Sequence, residues 1–159
     1  MGSYADDALF MSRNNIEYVE LISDDGKSKV MVIPAWQGRV MTTSAAGDEG
    51  DSYGWINYSF IKKRQIDLQF NPVGGEERFW LGPEGGVFSL YFRQGEKQIY
   101  KNWKVPPVLD IEAFKIQSQS KNCICLTKEG CLTNACGTTF YLNIKRTISL
   151  LDINAVSYT

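Results

Sequence analysis

The sequence predicts an all-β domain whose antiparallel strands pack as a sandwich. Several short stretches are rich in β-branched and aromatic residues, and turn-forming residues separate them. The longest stretch, Thr138–Leu151, alternates apolar and polar side chains with the period of a half-buried strand. No long helical pattern lies between the strands, which favours antiparallel pairing over parallel crossovers. With 159 residues, the chain is expected to form one domain over residues 1–159.

The first third of the chain predicts a hairpin followed by a third strand. Residues 4–14 are expected to be an irregular lead-in or a short helical turn. Ile16–Ile22 and Lys29–Ile33 are predicted strands joined by a turn at Ser23–Gly26. Gln37–Ser44 is the next predicted strand, and Trp55–Lys63 fits a short helix as well as a strand.

The second half predicts further short strands. Val87–Phe92 and Lys97–Trp103 are expected to pair as a hairpin around a turn at residues 94–96. Thr138–Leu151 is the longest predicted strand. Three more short strands are predicted between these elements, at Glu112–Ser118, Asn122–Thr127 and Cys131–Asn134.

The composition excludes several classes of function. The net charge is −1, and the basic residues are scattered, so no nucleic-acid interface is predicted. No stretch approaches the roughly 18 apolar residues that span a bilayer, so no membrane span is predicted. No signal-peptide pattern opens the sequence, and the compartment stays open. The chain has no histidine, which removes imidazole-based catalytic pairs and leaves carboxylates, Lys, Tyr or Cys for any chemistry. No cofactor is expected.

No metal site is predicted. Asp48, Glu49 and Asp51 lie in one loop, but their spacing does not match a calcium-binding EF-hand, and a solvated loop is the expectation. The cysteine spacing C-x-C-x5-C-x4-C lacks the paired knuckles of zinc sites. Buried free thiols are the main expectation, with a disulfide and a zinc site as the alternatives, for four residues: Cys123, Cys125, Cys131 and Cys136.

The segment Asn71–Phe92 carries the densest group of candidate functional residues. Paired glycines at 74–75 and 85–86 bracket it and allow positive φ and close backbone approach. Between them lie Glu76, Glu77, Arg78, Trp80 and Glu84. This pattern indicates a shaped polar surface, and the alternative is a loop whose charges are solvated or salt-bridged.

Arg146 interrupts the apolar face of the longest predicted strand. A guanidinium on such a face is costly unless it is paired, so a carboxylate partner is expected. The alternative is that this face lines a cleft and Arg146 points at a ligand. Glu76 and Glu77 would face opposite sides of an extended backbone, so one is expected in the cleft while the other is free to pair with Arg146 or Arg78.

Three segments carry a family resemblance: PAWQGRVMT at 34–42, SYGWIN at 52–57 and GGEERFWLGPEGG at 74–86. They resemble an uncharacterised bacterial family related to galactose mutarotase-like, or aldose 1-epimerase-like, proteins. The resemblance implies a β-supersandwich with a concave face that holds sugars, of which this chain looks like the N-terminal part. Gly38-Arg39 resembles an early Gly-Arg segment of that group, and Arg78 resembles its sugar-binding arginine. Because the histidine acid and the late glutamate are absent, catalysis is not expected of this chain alone.

The resemblance therefore predicts a saccharide ligand. Aromatic rings pack on the C–H faces of sugars, and core packing is the alternative role for the four tryptophans, Trp36, Trp55, Trp80 and Trp103. The candidate ligand-binding residues are Arg39, Asn57, Arg78, Trp80 and Arg146. If chemistry occurs, a carboxylate pair is its expected source, with Glu76 or Glu77 acting together with Glu84.

Two other functions stay open at this stage. One is a non-catalytic structural or assembly module whose Glu–Arg pairs are architectural, and the other is a fragment with no activity of its own. Because the chain stops soon after its longest strand, an uncovered sheet edge and self-association through it are also expected.

Overall fold

A computed structural model of the protein describes residues 2–151. Within them, two antiparallel three-stranded sheets are joined by a long irregular segment. The first sheet contains β1 (Val19–Ile22), β2 (Lys29–Ile33) and β3 (Arg39–Ser44) in that order. The second contains β4 (Lys115–Gln119), β5 (Cys123–Thr133) and β6 (Thr139–Ser149), also in that order. The α-helices are α1 (Tyr4–Arg13) and α2 (Tyr58–Lys63).

Helix α1 spans ten residues, where the sequence predicted an irregular lead-in or a short helical turn. A capping box starts it: the Ser3 side chain accepts from the Asp6 N–H at 3.2 Å, and the Asp6 carboxylate accepts from the Ser3 N–H at 2.9 Å. These reciprocal bonds satisfy two donors at the start of the helix. Tyr4 and Met11 are buried on one side of α1, so packing stabilises a segment with modest apolar content.

The first sheet has both faces covered. Every residue of its central strand, β2, is buried. Val30 and Val32 pack into the larger of two cores, while Met31 and Ile33 pack into a smaller core that includes residues of α1 and α2. The predicted hairpin and third strand are therefore present, although β1 starts three residues later than expected.

The second sheet is dominated by a long hairpin. Strands β5 and β6 pair over all eleven residues of each strand. In β6, the alternate residues Leu142, Ile144, Arg146 and Ile148 are buried or half-buried while those between them are exposed, as the alternation predicted; Phe140, on the same face, is 45% exposed. Strand β5 is continuous where two short strands were expected, because Lys128–Gly130 remains paired with β6 through the predicted break.

The predicted hairpin of Val87–Phe92 with Lys97–Trp103 is wrong. Both stretches are irregular, and Tyr100–Asn102 forms a single 3-10 turn. Side-chain hydrogen bonds connect the two stretches where backbone pairing was expected. The Gln98 side-chain amide donates to the Gly86 C=O and accepts from the Gly86 N–H, both at 2.7 Å. Tyr91 and Phe92 are buried in the core, whereas Val87, Phe88 and Ile99 are exposed, so the apolar pattern of this segment did not arise from strand pairing.

Both sheets contribute to the larger core. The first sheet supplies Leu21, Val30, Val32 and Val40, and the second supplies Ile124, Leu126, Leu132 and Ile144. The Ile22 N–H also donates to the Lys121 C=O at 2.8 Å, which joins the two sheets at one end. Among the helices of residues 2–151, none combines the length and apolarity that a membrane crossing requires.

Candidate functional site

Arg39, the first residue of β3, makes hydrogen bonds in the interior of the protein. Its side chain is buried, with the residue 2% exposed, and it donates to the Gly74 C=O at 2.6 Å and to the Gln37 Oε1 at 3.3 Å. Burial lowers the pKa of Arg39 to about 10. A β-carbon on Gly75 would lie 2.9 Å from Arg39 Cδ, so this glycine allows the backbone to close over the arginine.

Arg78 lies in the same internal network. It donates to the Leu109 C=O and stands 3.5 Å from Asp110 Oδ1. Asp110 also accepts from the Asn71 backbone N–H at 2.9 Å and from its side-chain amide at 2.7 Å. Burial raises the pKa of Asp110 and lowers that of Arg78. The two predicted ligand-binding arginines, Arg39 and Arg78, thus belong to one cluster, which we call the buried polar junction: Gln37, Arg39, Asn71, Arg78 and Asp110.

Arg146 has the carboxylate partner that the sequence predicted. Its guanidinium makes a two-pronged contact with Glu77, with Nη1 3.1 Å from Oε1, and its Nε donates to the Gly38 C=O at 3.1 Å. Gly38 has a φ of +64°, and a β-carbon there would lie 2.5 Å from Leu126 Cδ1. Glycine at this position therefore lets the first sheet approach β5 and β6 closely.

The three candidate catalytic carboxylates have separate partners. Glu77 binds Arg146, whereas Glu76 accepts from the backbone N–H and the hydroxyl of Thr43. Glu84 accepts from the Trp80 indole N–H at 2.9 Å. Glu76 and Glu77 do point to different neighbours, as the extended-backbone argument predicted.

Asn57 serves as the cap of helix α2. Its side-chain oxygen accepts from the Phe60 N–H at 3.2 Å, and its amide donates to the Pro72 C=O at 2.9 Å. These contacts start the helix and fasten it to the segment that precedes Gly74. The carbonyl oxygen and the amide nitrogen of this predicted ligand-binding residue are thus both engaged within the chain.

A row of neighbouring aromatic rings, of which the outer three are stacked, extends from Arg78 to the surface. The Arg78 guanidinium lies 4.1 Å from the centre of the Trp80 ring, and Trp80 lies 5.2 Å from Tyr91. Tyr91 and Trp103 are almost parallel, with centroids 5.6 Å apart, and Trp103 stacks on Tyr100 at 6.2 Å. Tyr100 is 77% exposed. We call these four rings the aromatic ladder: Trp80, Tyr91, Trp103 and Tyr100.

An open depression of about 530 Å³, the aromatic pocket, lies at the outer end of the ladder. Tyr100 and Trp103 line it together with Glu84, Gln98 and neighbouring residues. Glu84 is held by Trp80, and Gln98 is held by Gly86. The pocket therefore presents aromatic surface beside a carboxylate whose position is set by a hydrogen bond.

Sequence reasoning missed Tyr100 and Gln98 because their segment was assigned to a strand. In an extended strand, Tyr100 and Trp103 would point to opposite faces. In a 3-10 turn, side chains three residues apart eclipse, which places these two rings in a stack. The signal in the sequence that could have indicated this stack is the spacing of Tyr100 and Trp103, which are separated by two polar residues.

The acidic loop and the cysteines form no candidate metal cluster among the residues that the structure describes. Within residues 2–151, no three Cys, Asp or Glu side chains come together as a possible metal cluster. Asp48 instead binds Lys29 at 2.6 Å. The four cysteines are free thiols; Cys125 is buried and Cys123 half-buried, but Cys131 and Cys136 are exposed, so the expectation of burial is wrong for these two.

The sequence model of one protein family, described as a family of unknown function (DUF6786), matches residues 2–159. Because the match covers nearly the whole chain, the protein belongs to this family. No curated protein and no solved structure matches the chain.

Proposed function

We propose that this member of the DUF6786 family binds a saccharide at the aromatic pocket. The observation that carries the proposal is the exposed Tyr100 ring stacked on Trp103 beside the fixed carboxylate of Glu84. Sugar rings present C–H faces that pack on aromatic surfaces, and their hydroxyls donate to carboxylate oxygens. Pockets that combine apolar walls with a few placed polar groups are the usual form of small-molecule sites.

The aromatic ladder supports this proposal by holding the pocket walls in place before a ligand arrives. Trp103 lies between Tyr91 and Tyr100, and the Tyr91 hydroxyl donates to the Leu81 C=O at 2.6 Å. Rings that are already ordered lose little freedom on binding, so more of the contact energy appears as affinity. In this arrangement Trp80 and Arg78 support the site from behind.

The proposal concerns binding without turnover. The three carboxylates considered for catalysis are Glu76, Glu77 and Glu84, and each is engaged with a different group of the protein. Paired acid and base chemistry on a sugar needs two carboxyl groups that face one reacting oxygen from opposite sides. Arg39, Asn57 and Arg146 are likewise engaged within the chain and are not part of the proposed pocket.

We further propose that the two sheets are part of a mutarotase-like supersandwich. The core shared by β1–β3 and β5–β6 supports this reading, because two sheets that bury one common core are the basis of sandwich architectures.

Self-association through β6 is a related proposal. Among the described strands, β6 pairs only with β5, and Tyr141 on this edge strand is 88% exposed. A long unpaired edge can hydrogen-bond with the same edge of a second copy.

The test of saccharide binding is an NMR titration that follows the four indole N–H signals against neutral mono- and oligosaccharides. Binding at the aromatic pocket predicts saturable shifts of the Trp103 and Trp80 signals while the Trp55 signal stays in place. Tyr100→Ala should weaken binding about 3- to 10-fold, because it removes one stacking face. Tyr53→Ala is the matched control, since Tyr53 is an exposed tyrosine that does not line the pocket. Silence of all four signals in the folded protein would contradict the proposal.

A structural module is the second candidate function, and one observation favours it. Three of the residues that were predicted to bind a ligand instead donate hydrogen bonds to other groups of the chain: Arg39, Arg78 and Arg146. If the protein is only a structural module, removal of these groups will lower stability, and neither the parent protein nor the folded variants will bind a saccharide.

A further inference from the structure

A second cavity, of about 350 Å³, lies beside helix α2 and away from the residues of the aromatic pocket. Apolar side chains from several parts of the chain form its walls, including the segment before β1, the turn after β2, helix α2 and the loops near residues 73 and 111. We call it the apolar pocket, and its main wall residues are Ile16, Trp36, Phe60, Ile61, Val73 and Ile111.

Arg64 contributes a positive charge to the lining of this pocket. Among the described residues that line it, Arg64 is the sole charged residue. Arg64 ends helix α2 in a left-handed conformation with a φ of +51°, and its backbone N–H donates to the Ile61 C=O at 3.1 Å. No described ion pair includes Arg64, so its guanidinium is free to bind an anion at the pocket.

The pocket also leaves apolar surface in contact with water. Ile66 is 66% exposed and Ile111 is 39% exposed, and both line the pocket. Covering such side chains with an apolar group is favourable because it removes apolar surface from water. The volume of 350 Å³ lies at the lower end of ligand pockets, which points to a small occupant.

We propose that the apolar pocket binds a small amphipathic monocarboxylate. Its hydrocarbon or aromatic body lies against Trp36 and Phe60, and its carboxylate pairs with the Arg64 guanidinium. A guanidinium offers two parallel N–H groups that match the two oxygens of a carboxylate. The absence of any carboxylate among the described lining residues means that nothing in the pocket repels such an anion. This site is separate from the proposed saccharide site.

The test compares three probes with the same apolar body: octanoate, octanol and octylammonium. Each is titrated while the indole N–H signals are followed, because Trp36 reports on the apolar pocket and Trp103 on the aromatic pocket. We expect octanoate to shift the Trp36 signal saturably and to bind about two- to fivefold more tightly than octanol, because an ion pair with the exposed Arg64 is partly screened by water. Octylammonium should bind more weakly than octanol. An unmoved Trp36 signal, or equal affinity for all three probes, overturns the proposal.

Variants of Arg64 test the role of the charge. Arg64→Asn removes the cation while keeping a residue that tolerates the left-handed conformation, and it should abolish the preference for octanoate over octanol. Arg64→Lys should retain most of that preference. Lys27→Gln, which removes an exposed cation elsewhere, is the control. Unchanged Trp80 and Trp103 signals establish that each variant is folded, and a preference that survives in Arg64→Asn contradicts the assignment. Saccharide binding is followed by the Trp103 signal and carboxylate binding by the Trp36 signal. The failure of one proposal can therefore be distinguished from the failure of the other.

Discussion

Glu77 and Arg146 tie the two sheets together. The Glu77 backbone C=O accepts from the N–H of Val40 in β3 at 3.0 Å, while its side chain binds Arg146 in β6. The Arg146 side chain is 11% exposed and the Glu77 side chain is 52% exposed. The pair therefore lies at the boundary of the shared core. Because Arg146 is the more buried of the two, loss of its partner would leave it with the larger uncompensated desolvation cost.

Glu77→Ala should destabilise the fold by about 2 kcal/mol, because it leaves the mostly buried Arg146 without its carboxylate. Chemical denaturation followed by tryptophan fluorescence measures the change. Asp24→Ala is the control: Asp24 pairs with Lys121 on the surface, and its loss should cost less than about 0.5 kcal/mol. Equal effects of the two substitutions would show that the Glu77–Arg146 pair does not join the sheets energetically.

Gly75→Ala should be more destabilising than Gly86→Ala. Both glycines have positive φ, +110° and +85°, so both substitutions carry backbone strain of about 1–2 kcal/mol. Only at Gly75 would the new β-carbon also meet Arg39, at 2.9 Å, whereas Gly86 has open space. Thermal melting of both variants isolates the clash as their difference. If Gly75→Ala melts at or above the temperature of Gly86→Ala, the close packing over Arg39 is not limiting.

Arg78→Ala should cost about 3 kcal/mol of stability, because it leaves the buried Asp110 without its cation and removes a donor to Leu109. Arg93→Ala, at an exposed position, is the control and should be nearly neutral. Melting and saccharide titration are measured separately on each variant. A folded Arg78→Ala that melts normally but loses saccharide binding would place Arg78 in contact with the ligand instead of behind Trp80.

Stability should fall at alkaline pH partly through Tyr58. Burial and a hydrogen bond to Asp7 raise the pKa of Tyr58 from 10.0 to about 12. Between these values the unfolded chain releases the phenolic proton while the folded chain retains it, so the free energy of unfolding decreases as the pH rises. The contribution is fully present below pH 10.

Tyr58→Phe tests this assignment, since the variant should show a shallower loss of stability between pH 10 and pH 12 than the parent protein. Denaturant midpoints measured across this range give the comparison, and the phenylalanine variant also reveals the cost of losing the Asp7 contact at neutral pH. Identical slopes in the two proteins would mean that other tyrosines carry the alkaline response.

Self-association through β6 should respond to charge on that strand. Size-exclusion chromatography with light scattering is expected to detect a dimer that weakens in Tyr141→Lys, because a charged side chain on an edge strand disfavours edge pairing. Lys145→Gln, also on β6, should not weaken it. A monodisperse monomer at all concentrations would contradict the proposal.

The sequence by itself determined the elements whose stability comes from neighbouring residues in the chain. The turn at Ser23–Gly26 and the alternation in β6 predicted both hairpin strands and the long strand, because turn chemistry and side-chain period are local properties. The same logic predicted that Arg146 needs a carboxylate, since the cost of an unpaired buried charge does not depend on the identity of its partner.

The tertiary structure decided which partners meet. It selected Glu77 for Arg146 and placed Arg39 and Arg78 in the buried polar junction, although the family resemblance had made both candidates for a ligand site. It also replaced the predicted strand at 97–103 with a 3-10 turn that stacks Tyr100 on Trp103. These outcomes depend on contacts between residues that are far apart in the chain. A local sequence pattern can indicate that a side chain will be buried, but it does not identify the residues that the side chain will contact.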